Sequence, residues 1–466
     1  MSADQIKRVF SRFVASYGMV FVLLLLCVFF SVATWNEQHP TGATAANQVA
    51  AHLVSEHEPS ARVLIVAGNS RDDTEFAEAL RERLAASKLT VVDTVLGQPV
   101  DARKALEVIA VSGDRLDVIA ASPVSADWPV FEGLQNKFPS LASAKLVTAG
   151  SYWWPDFLKV DNLRNIPNQI AVIAILAVAM TMVIITGGID LSVGSLIALS
   201  AVVWTLLIRD LAGAETASAV GMAVCALGTI AVCAGIGVFS GLMVLFRIAP
   251  FIVTLAMMLV ARGLAYILAE GQSIYQVPDS SVWLGRGADL FGLPNPVVLM
   301  VLIYVAAHVV MTYTTFGRYI YAVGGNAEAA RLSGVPVRRV LLSVYTISGI
   351  LAGLGGIVSA SELKSGSPTY APMYELYVIA AVVVGGTSLT GGEGKIFGTL
   401  VGAFIIAVIR NGMNLTDVES YTQMVILGLV ILGAALLDEI KKRGWIRRCW
   451  GWMRRCWGWM RRGRDT

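Results

Sequence analysis

The stretch 170–194 reads IAVIAILAVAMTMVIITGGIDLSVG and decides the fold of this chain. Residues 170–189 carry no charge, and about 20 apolar residues are what a helix needs to cross the hydrocarbon core of a bilayer. Gly187 and Gly188 then interrupt the apolar run, and an acid follows at Asp190. Backbone groups freed near a membrane are tolerated only where they face protein or a water-filled cavity. The stretch therefore predicts a membrane helix that ends at a polar site.

The composition of the whole chain agrees with this prediction. Of its 466 residues, 56% are hydrophobic and only 15% are charged, whereas a soluble domain carries about 25% charged residues. The charges are also uneven: 27 lie in residues 36–160, 11 lie in residues 441–466, and the remaining 315 residues hold 31. These numbers disfavour a soluble enzyme. We predict a polytopic α-helical membrane protein with one inserted polar domain, and we predict no nucleic-acid partner.

Ten segments are long and apolar enough to be membrane spans, so we predict about ten transmembrane helices. They are 17–34, 167–186, 192–208, 217–238, 251–269, 296–313, 340–359, 374–391, 396–413 and 421–437. Because Lys and Arg gather in alternate short loops, both termini are predicted to be cytoplasmic and the long domain 36–160 to be extracytoplasmic. The predicted organisation is residues 1–35 with the first span, the insert 36–160, a nine-helix region 161–440, and a basic tail 441–466.

The first span and the tail each admit a second interpretation. Lys7, Arg8 and Arg12 ahead of an apolar run that ends in small residues also resemble a signal peptide, but the run is longer than is usual for one. The tail repeats the sequence RRCWGWM at 447–453 and 454–460. As a helix it would set arginines on one side and apolar residues on the other, which favours an anchor on anionic lipid over a lipidated or metal-binding cysteine pair.

Residues 36–160 alternate between short β-rich runs and helical periodicity. The predicted strands are 62–67, 89–96, 116–120 and 145–148, and the predicted helices are 73–86, 101–111 and 126–138. Apolar strands alternating with helices predict a parallel sheet covered by helices. Ligands of such sheets bind beyond the carboxyl ends of strands, which points to Gly68, Asn69, Ser70 and Asp72, although a turn and helix caps that include Asp73 are the simpler interpretation. The segment resembles one lobe of a sugar-binding-protein fold.

A loop after the sixth predicted span, 316–340, carries a short helix. Its predicted start is Asn326, whose side chain can cap free amides, and Glu328 in the first turn favours the helix dipole. Alanines keep the helix thin, and Gly334 ends it. A thin, exposed helix is suited to insertion into a groove on another protein.

This loop resembles the coupling loop of the sugar branch of ATP-binding-cassette import permeases, which docks on a nucleotide-hydrolysing subunit. The segment 186–195 (TGGIDLSVGS) resembles the signature between the second and third spans of that family. The segments 374–376 (YEL), 384–388 (VGGTS) and 391–394 (GGEG) resemble its late glycine-rich region. The resemblance covers the first span and residues 157–437, and the insert and the tail depart from it.

The resemblance implies a permease subunit that forms the translocation pathway of an ATP-driven importer for a sugar such as ribose, xylose or galactose. It implies that coupling to the ATPase involves Gly325, Asn326, Glu328, Ala329, Arg331 and Gly334. The predicted lining or gate of the pathway comprises Gly187, Gly188, Asp190, Ser192, Glu375, Gly385 and Gly386. For Asp190 a helix cap is the simpler interpretation. Arg262 is deep enough in its span to predict an interhelical partner.

The chain lacks the residues for chemistry of its own. No His, Cys, Asp and Glu arrangement has catalytic or metal-ligand spacing, and a phosphate-binding loop fails because Leu389 and Ile396 replace its first glycine and its hydroxyl residue. ATP and Mg²⁺ are therefore expected on a separate cytoplasmic ATPase, with no cofactor and no metal on this chain. The other implied partners are a second permease subunit, identical or paired, an extracytoplasmic sugar-binding protein, the sugar itself and membrane lipid.

The implied location is the bacterial inner membrane, which the chain would cross many times. Two alternatives stay open. One is a permease for branched-chain amino acids or another small polar solute, which shares this architecture. The other is a membrane-anchored sensor whose outer domain binds a ligand.

Overall fold

The computed structural model describes residues 3–57, 60–290 and 292–442. The chain divides into two compact units. The membrane unit is formed by the residues up to Thr34 and from Asp156 onward, and the insert is Trp35–Pro155. The predicted tail repeat at 447–460 lies outside the described residues.

Helix α1 (Ala3–Ala33) precedes the insert, which contains six strands and five helices within its described residues. These are β1 (Trp35–Gln38), α2 (Gly42–Glu56), β2 (Arg62–Ala67), α3 (Arg71–Ala86), β3 (Thr90–Leu96), α4 (Pro99–Ser112), β4 (Val118–Ala121), α5 (Pro123–Ala126), α6 (Leu134–Lys137), β5 (Lys145–Val147) and β6 (Tyr152–Pro155). Four strands form a parallel sheet in the order β3-β2-β4-β5, and β1 pairs with β6 antiparallel.

The sheet of the insert is buried on both faces. Along β2, Val63 and Ile65 pack into one core with α2 and α3, whereas Leu64 and Val66 pack into a second core with α4. Successive side chains of a strand point to opposite faces, so a continuous apolar run is what a strand between two helical layers requires. The apolar sequence of β2 therefore places it at the centre of the sheet.

Two parts of the insert differ from the sequence-based expectation. The predicted helix 126–138 is wrong, because it is broken into α5 and α6. Pro129 has no backbone N–H and restricts the residue before it, and Gly133 has a left-handed φ of +64°. Helix α2 was not predicted, because the sequence GATAANQVAAHLVSE is rich in alanine and carries a weak apolar pattern.

The membrane unit continues with twelve helices. They are α7 (Val160–Ile185), α8 (Val193–Leu211), α9 (Ala219–Leu245), α10 (Pro250–Leu268), α11 (Trp283–Arg286), α12 (Asn295–Tyr313), α13 (Thr315–Gly325), α14 (Ala327–Leu332), α15 (Val337–Leu363), α16 (Tyr374–Val384), α17 (Ile396–Leu415) and α18 (Ser420–Lys442). Within the described residues, seven helices are long and apolar enough to cross a membrane: α7, α8, α9, α10, α12, α15 and α17. The other three predicted positions hold shorter apolar helices, Gly18–Ala33, Tyr374–Val384 and Ser420–Gly433. The chain is thus a polytopic membrane protein.

The predicted span 374–391 is too long. Helix α16 ends at Val384, because Gly385 follows and Gly386 adopts a φ of +88°, which continues no helix. Its 11 residues extend about 16 Å, roughly half of the hydrocarbon thickness. Helix α16 alone is therefore too short to reach from one membrane surface to the other.

Helix α7 is the centre of the membrane unit. Its residues are buried without interruption from Ile170 to Ile185. Around it, helices approach closely where glycines remove side chains: a Cβ on Gly349 of α15 would overlap the carbonyl oxygen of Cys233 on α9, and a Cβ on Gly237 would overlap that of Tyr345. These glycines let the two helices pack at backbone distance.

Candidate functional site

A non-helical segment of seven residues, 186–192, joins α7 to α8, and we call it the signature turn. Gly187 has a φ of +83°, which glycine adopts without a steric cost. The N–H groups of Gly187 and Gly188 donate to the carbonyl oxygens of Ile184 and Val183, at 2.9 and 3.0 Å. These bonds satisfy the last carbonyl groups of α7 and turn the chain back toward the helices.

Asp190 is the polar centre of the signature turn and is 3% exposed. Its Oδ1 accepts hydrogen bonds from the backbone N–H of Ser192, at 2.9 Å, and from the hydroxyl of Ser192, at 2.6 Å. Its Oδ2 accepts a bond of 2.6 Å from Ser348 on α15. Asp190 therefore caps the approach to α8 and also ties the signature turn to a second helix. Ser192 is the N-cap residue of α8, but its hydroxyl donates to Asp190 and accepts no bond from the helix.

A tyrosine hydroxyl borders the same turn. The hydroxyl of Tyr345 is buried and has no hydrogen-bond partner among the described residues. It lies against Gly188, where a Cβ would overlap it. Because an unsatisfied buried hydroxyl costs about 1–3 kcal/mol, such a group marks a place where water, a solute or a second conformation supplies the partner.

Glu375 lies in the first turn of α16 and packs against α8. Its Oε2 is buried without a hydrogen-bond partner among the described residues, and a Cβ on Gly194 would overlap this oxygen. Arg262 of α10 holds the segment before α16, since its guanidinium donates to the carbonyl oxygens of Pro368 and Tyr370, at 2.7 and 2.9 Å. Arg262 was predicted to have an interhelical partner, but its partners are backbone carbonyl groups of the non-helical segment between α15 and α16. An interrupted helix with a polar end is typical of solute sites in transporters.

The exposed loop after α12 contains two helices rather than one. Helix α13 follows α12 directly, and the predicted short helix is α14, which we call the coupling helix. Asn326 caps it as predicted, with its side chain accepting from the N–H of Ala329 at 2.9 Å, and Gly334 after it has a φ of +83°. Glu328 forms an exposed ion pair with Arg331, and this pair lowers the pKa of the Glu328 carboxyl. Leu332 at its end is 76% exposed.

Helix α13 and the loop 385–395 after α16 both contact Ile185, the last residue of α7 and the residue before the signature turn. The carbonyl oxygen of Ile185 accepts a hydrogen bond of 2.9 Å from the N–H of Gly392. A Cβ on Gly324 of α13 would overlap the same oxygen. Tyr321 of α13 donates a bond of 2.8 Å to the carbonyl oxygen of Gly394. Helix α13, which leads into the coupling helix, therefore contacts both the end of α7, where the signature turn begins, and the loop 385–395.

Residues 385–395, the glycine-rich loop, join α16 to α17. A Cβ on Gly385 would overlap the carbonyl oxygen of Gly398 on α17, and a Cβ on Gly402 would overlap that of Ala381 on α16. The glycines let two antiparallel helices approach at backbone distance, so their main role is packing.

Comparison with known proteins identifies this arrangement. The profile of the family described as "Branched-chain amino acid transport system / permease component" matches residues 162–435. The chain belongs to this permease family. The insert lies outside the matched residues.

Several relatives of this permease are similar along most of their own length. The ribose import permease protein RbsC of Escherichia coli K12 is 44% identical over 311 residues, which are 65% of this chain and 93% of that protein. RbsC of Bacillus subtilis strain 168 is 42% identical, over 67% of this chain and 95% of that protein. The L-arabinose transport system permease protein AraH of Escherichia coli K12 is 35% identical, over 64% and 89%. No solved structure matches the permease. It is a transport subunit rather than an enzyme.

The predicted site residues of the permease fall into three groups. Gly187 and Gly188 follow the end of α7, where Gly187 lies next to Gly391 of the glycine-rich loop and Gly188 lies against Tyr345 of α15. Asp190 and Ser192 form one buried network, and Glu375 lies beside Gly194 on α8. Of the predicted coupling residues, Glu328, Ala329 and Arg331 on α14 are exposed, whereas Gly325 at the end of α13 lies against Gly392 of the glycine-rich loop. Across the described ranges, no three His, Cys, Asp or Glu side chains are placed to hold a metal.

Several functional candidates were missed by sequence reasoning. Tyr345, Ser348 and Tyr321 lie in ordinary helical sequence, and only the fold brings them to the signature turn and the glycine-rich loop. The hydroxyl groups of Tyr345 and Ser348 in an otherwise apolar predicted span were the available signal. Leu332 carried a signal too, because an apolar residue at the end of an exposed thin helix has no core to enter.

Proposed function

We propose that this permease forms the translocation pathway of an ATP-driven sugar importer and is powered by a separate cytoplasmic ATPase. The contact at Ile185 is the observation that carries the proposal. The last carbonyl group of buried α7 touches α13 on one side and the glycine-rich loop on the other. A displacement of the coupling helix is therefore transmitted through α13 to the signature turn and to the glycine-rich loop, the two segments that border the proposed pathway.

The conformational change that we propose is transmitted through these contacts. When the ATPase binds ATP it moves α14, and Gly324 and Tyr321 on α13 carry the movement to Ile185 and the glycine-rich loop. Asp190 links the signature turn to Ser348, so α15 shifts with the turn. The pathway then changes from outward to inward access. The permease supplies the pathway and its two conformations, open outward and open inward. ATP hydrolysis takes place on the ATPase.

A pentose is the proposed solute. Relatives carry the printed functions of ribose import and L-arabinose transport. The Oε2 of Glu375 and the hydroxyl of Tyr345 are buried groups in need of partners, and both suit the hydroxyl groups of a sugar. Xylose and galactose stay on the list of candidate substrates.

A branched-chain amino acid is the second candidate, because the description of the matched family names that class. An amino acid is a zwitterion and needs a cation for its carboxylate. Arg262 is the cation beside Glu375, and its guanidinium is already bonded to two backbone carbonyl groups. This engagement favours a neutral solute.

The proposed topology has ten membrane crossings in the bacterial inner membrane, one of them formed by α16 together with the non-helical residues beside it, with both termini in the cytoplasm and the insert outside. Alternate loops collect Lys and Arg on the side of the coupling helix, which supports this orientation. The proposed assembly pairs the permease with a second permease subunit, with ATPase subunits at 316–340, with an extracytoplasmic sugar-binding protein and with membrane lipid. The permease itself binds no cofactor, and its partner uses ATP and Mg²⁺.

A docking experiment tests the coupling helix. We expect Leu332→Ala to weaken binding of the ATPase about tenfold or more, because an exposed leucine that becomes buried contributes about 1.5–3 kcal/mol. The matched control is Leu211→Ala, since Leu211 is 77% exposed on α8 and lies outside 316–340. Affinity is measured by titrating the purified ATPase against the permease in nanodiscs. Equal affinities for both variants would contradict the docking role.

Solute identity is tested with the same preparation after reconstitution with the ATPase and the binding protein in liposomes. Uptake of radiolabelled ribose, xylose, galactose and leucine is compared in the presence of ATP. We expect ribose to accumulate and leucine to remain at background. Accumulation of leucine without any sugar would replace the first candidate by the second.

A further inference from the structure

The insert contains a cavity that the transport function does not use. Its volume is about 360 Å³, within the range of roughly 300–1,000 Å³ that small-molecule sites occupy. Its lining includes Thr41, Ser70, Asp72, Phe76, Val124 and Asp127. All of these residues belong to the insert.

The cavity lies where a parallel sheet of this order binds ligands. In the order β3-β2-β4-β5, the chain leaves β2 for one neighbour and returns to β4 on the other side. The segments after β2 and β4 therefore diverge and leave a crevice beyond their carboxyl ends. Ser70 follows β2 and Ser122 follows β4, and both line the cavity.

The floor of the cavity is a preformed polar network. Asp73, which is 7% exposed, accepts hydrogen bonds from the hydroxyl groups of Ser70, at 2.6 Å, and Ser122, at 2.7 Å. Burial raises the pKa of the Asp73 carboxyl, but these bonds and those from the backbone of Ser70 and Gly68 outweigh it, so the pKa is lowered. Ser125 closes the network by donating to the carbonyl oxygen of Val66, at 2.8 Å. Asp73 is fully engaged and acts as a positioning residue.

The rim of the cavity, in contrast, carries free acceptors. Asp72 and Asp127 are exposed, and neither carboxylate forms an ion pair with any described residue. Phe76 and Val124 supply apolar surface between them. Carboxylates that accept hydrogen bonds from hydroxyl groups, set beside apolar surface that covers C–H groups, match a polyhydroxylated molecule. A metal ion is disfavoured, because within the described part of the chain no three suitable ligands come together.

We propose that this cavity, the insert pocket, binds a small neutral sugar through Asp72 and Asp127 at a site separate from the translocation pathway. The insert then holds solute before or during transport. The choice of ribose as the probe rests on the proposed function, whereas the pocket itself is argued from the geometry of the insert.

The test is ribose binding to the full-length permease in nanodiscs, without ATPase or binding protein, measured by equilibrium dialysis of radiolabelled ribose. We expect Asp127→Asn and Asp72→Asn each to weaken binding about tenfold, because a hydrogen bond to a charged group contributes about 1.5–3 kcal/mol. Val124→Trp, which fills the cavity, should abolish binding. Glu132→Gln, an exposed acid of the insert away from the cavity, is the matched control and should bind like the unaltered protein.

A pathway variant separates the two sites. Glu375→Gln should retain ribose binding at the insert pocket even where uptake is lost. Loss of binding in Glu375→Gln with full binding in Asp127→Asn and Val124→Trp would overturn the inference and leave the proposed function standing. Absence of ribose binding, or binding of a cationic amine such as putrescine in its place, would also overturn it. Failure of ATP-driven uptake with intact pocket binding would instead count against the proposed function alone.

Discussion

At the scale of single residues, Asp190 is a buried carboxylate of the membrane unit that is held by three hydrogen bonds. A carboxylate that is 3% exposed among apolar helices is costly unless donors surround it, and three donors do so here. Two of the donors belong to Ser192 in the same turn, and the third comes from Ser348 on α15. The local pair fixes the turn, and the distant donor makes the turn and α15 move together.

Removal of the distant donor should therefore destabilise the membrane unit. We expect Ser348→Ala to lower the free energy of unfolding by about 1–3 kcal/mol, because it leaves one oxygen of a buried carboxylate unpaired. Thr346→Ala on the same helix is the control, since the Thr346 hydroxyl bonds only to the carbonyl oxygen of Leu342 one turn earlier. Thermal unfolding in detergent measures both. Equal melting temperatures for the two variants would contradict the linking role of Ser348.

At the scale of elements, the sequence predicts regular apolar helices and strands well and predicts their interruptions less well. Strand β2 has the predicted bounds 62–67, because the short apolar run VLIVA is rich in β-branched residues and is followed directly by Gly68. The short length of α16 was missed, because no charged residue follows Gly385 before Glu393, so the uncharged run continues beyond the break. Helix α13 was taken as loop, because its sequence TFGRYIYAVGG contains three glycines. Its helical state depends on packing against α7 and α12, which a single sequence does not record.

The close contact between α13 and α7 gives a prediction for glycine. Gly324→Ala should disrupt coupling, because its Cβ would overlap the carbonyl oxygen of Ile185 and displace α13. Gly235→Ala on α9 is the control, since a Cβ there meets nothing within 4 Å. The ratio of sugar transported to ATP hydrolysed is measured for both in liposomes. We expect this ratio to fall clearly for Gly324→Ala and to stay unchanged for the control. An unchanged ratio in both would show that this contact carries no coupling.

At the scale of the whole molecule, the insert is joined to the membrane unit at a single place in the fold. Trp35 and Pro155 are paired residues of β1 and β6, so the insert leaves and rejoins the chain at neighbouring positions. Within the membrane unit, Thr34 accepts hydrogen bonds from the N–H groups of Asp156, at 2.9 Å, and Phe157, at 3.1 Å. The insert also has two hydrophobic cores of its own. Its position in the chain could be predicted from charge density, but the pairing of its ends could not, because β1 and β6 lie far apart in sequence.

Replacement of residues 36–154 by a linker of about four residues should therefore leave the membrane unit folded. We expect monodisperse elution and helical circular dichroism like those of the intact chain, because the bonds of Thr34 remain. Ribose binding at the insert pocket should disappear. Aggregation of the shortened chain would show instead that the membrane unit depends on the insert.

Dependence on an external energy source is the central claim, and ribose accumulation in liposomes tests it most directly. The permease is reconstituted with the extracytoplasmic binding protein, with or without its ATPase, and ATP is supplied on the side of the coupling helix. We expect ribose to accumulate against a gradient only when both ATPase and ATP are present, and not with a non-hydrolysable nucleotide. Accumulation by the permease without the ATPase would contradict it.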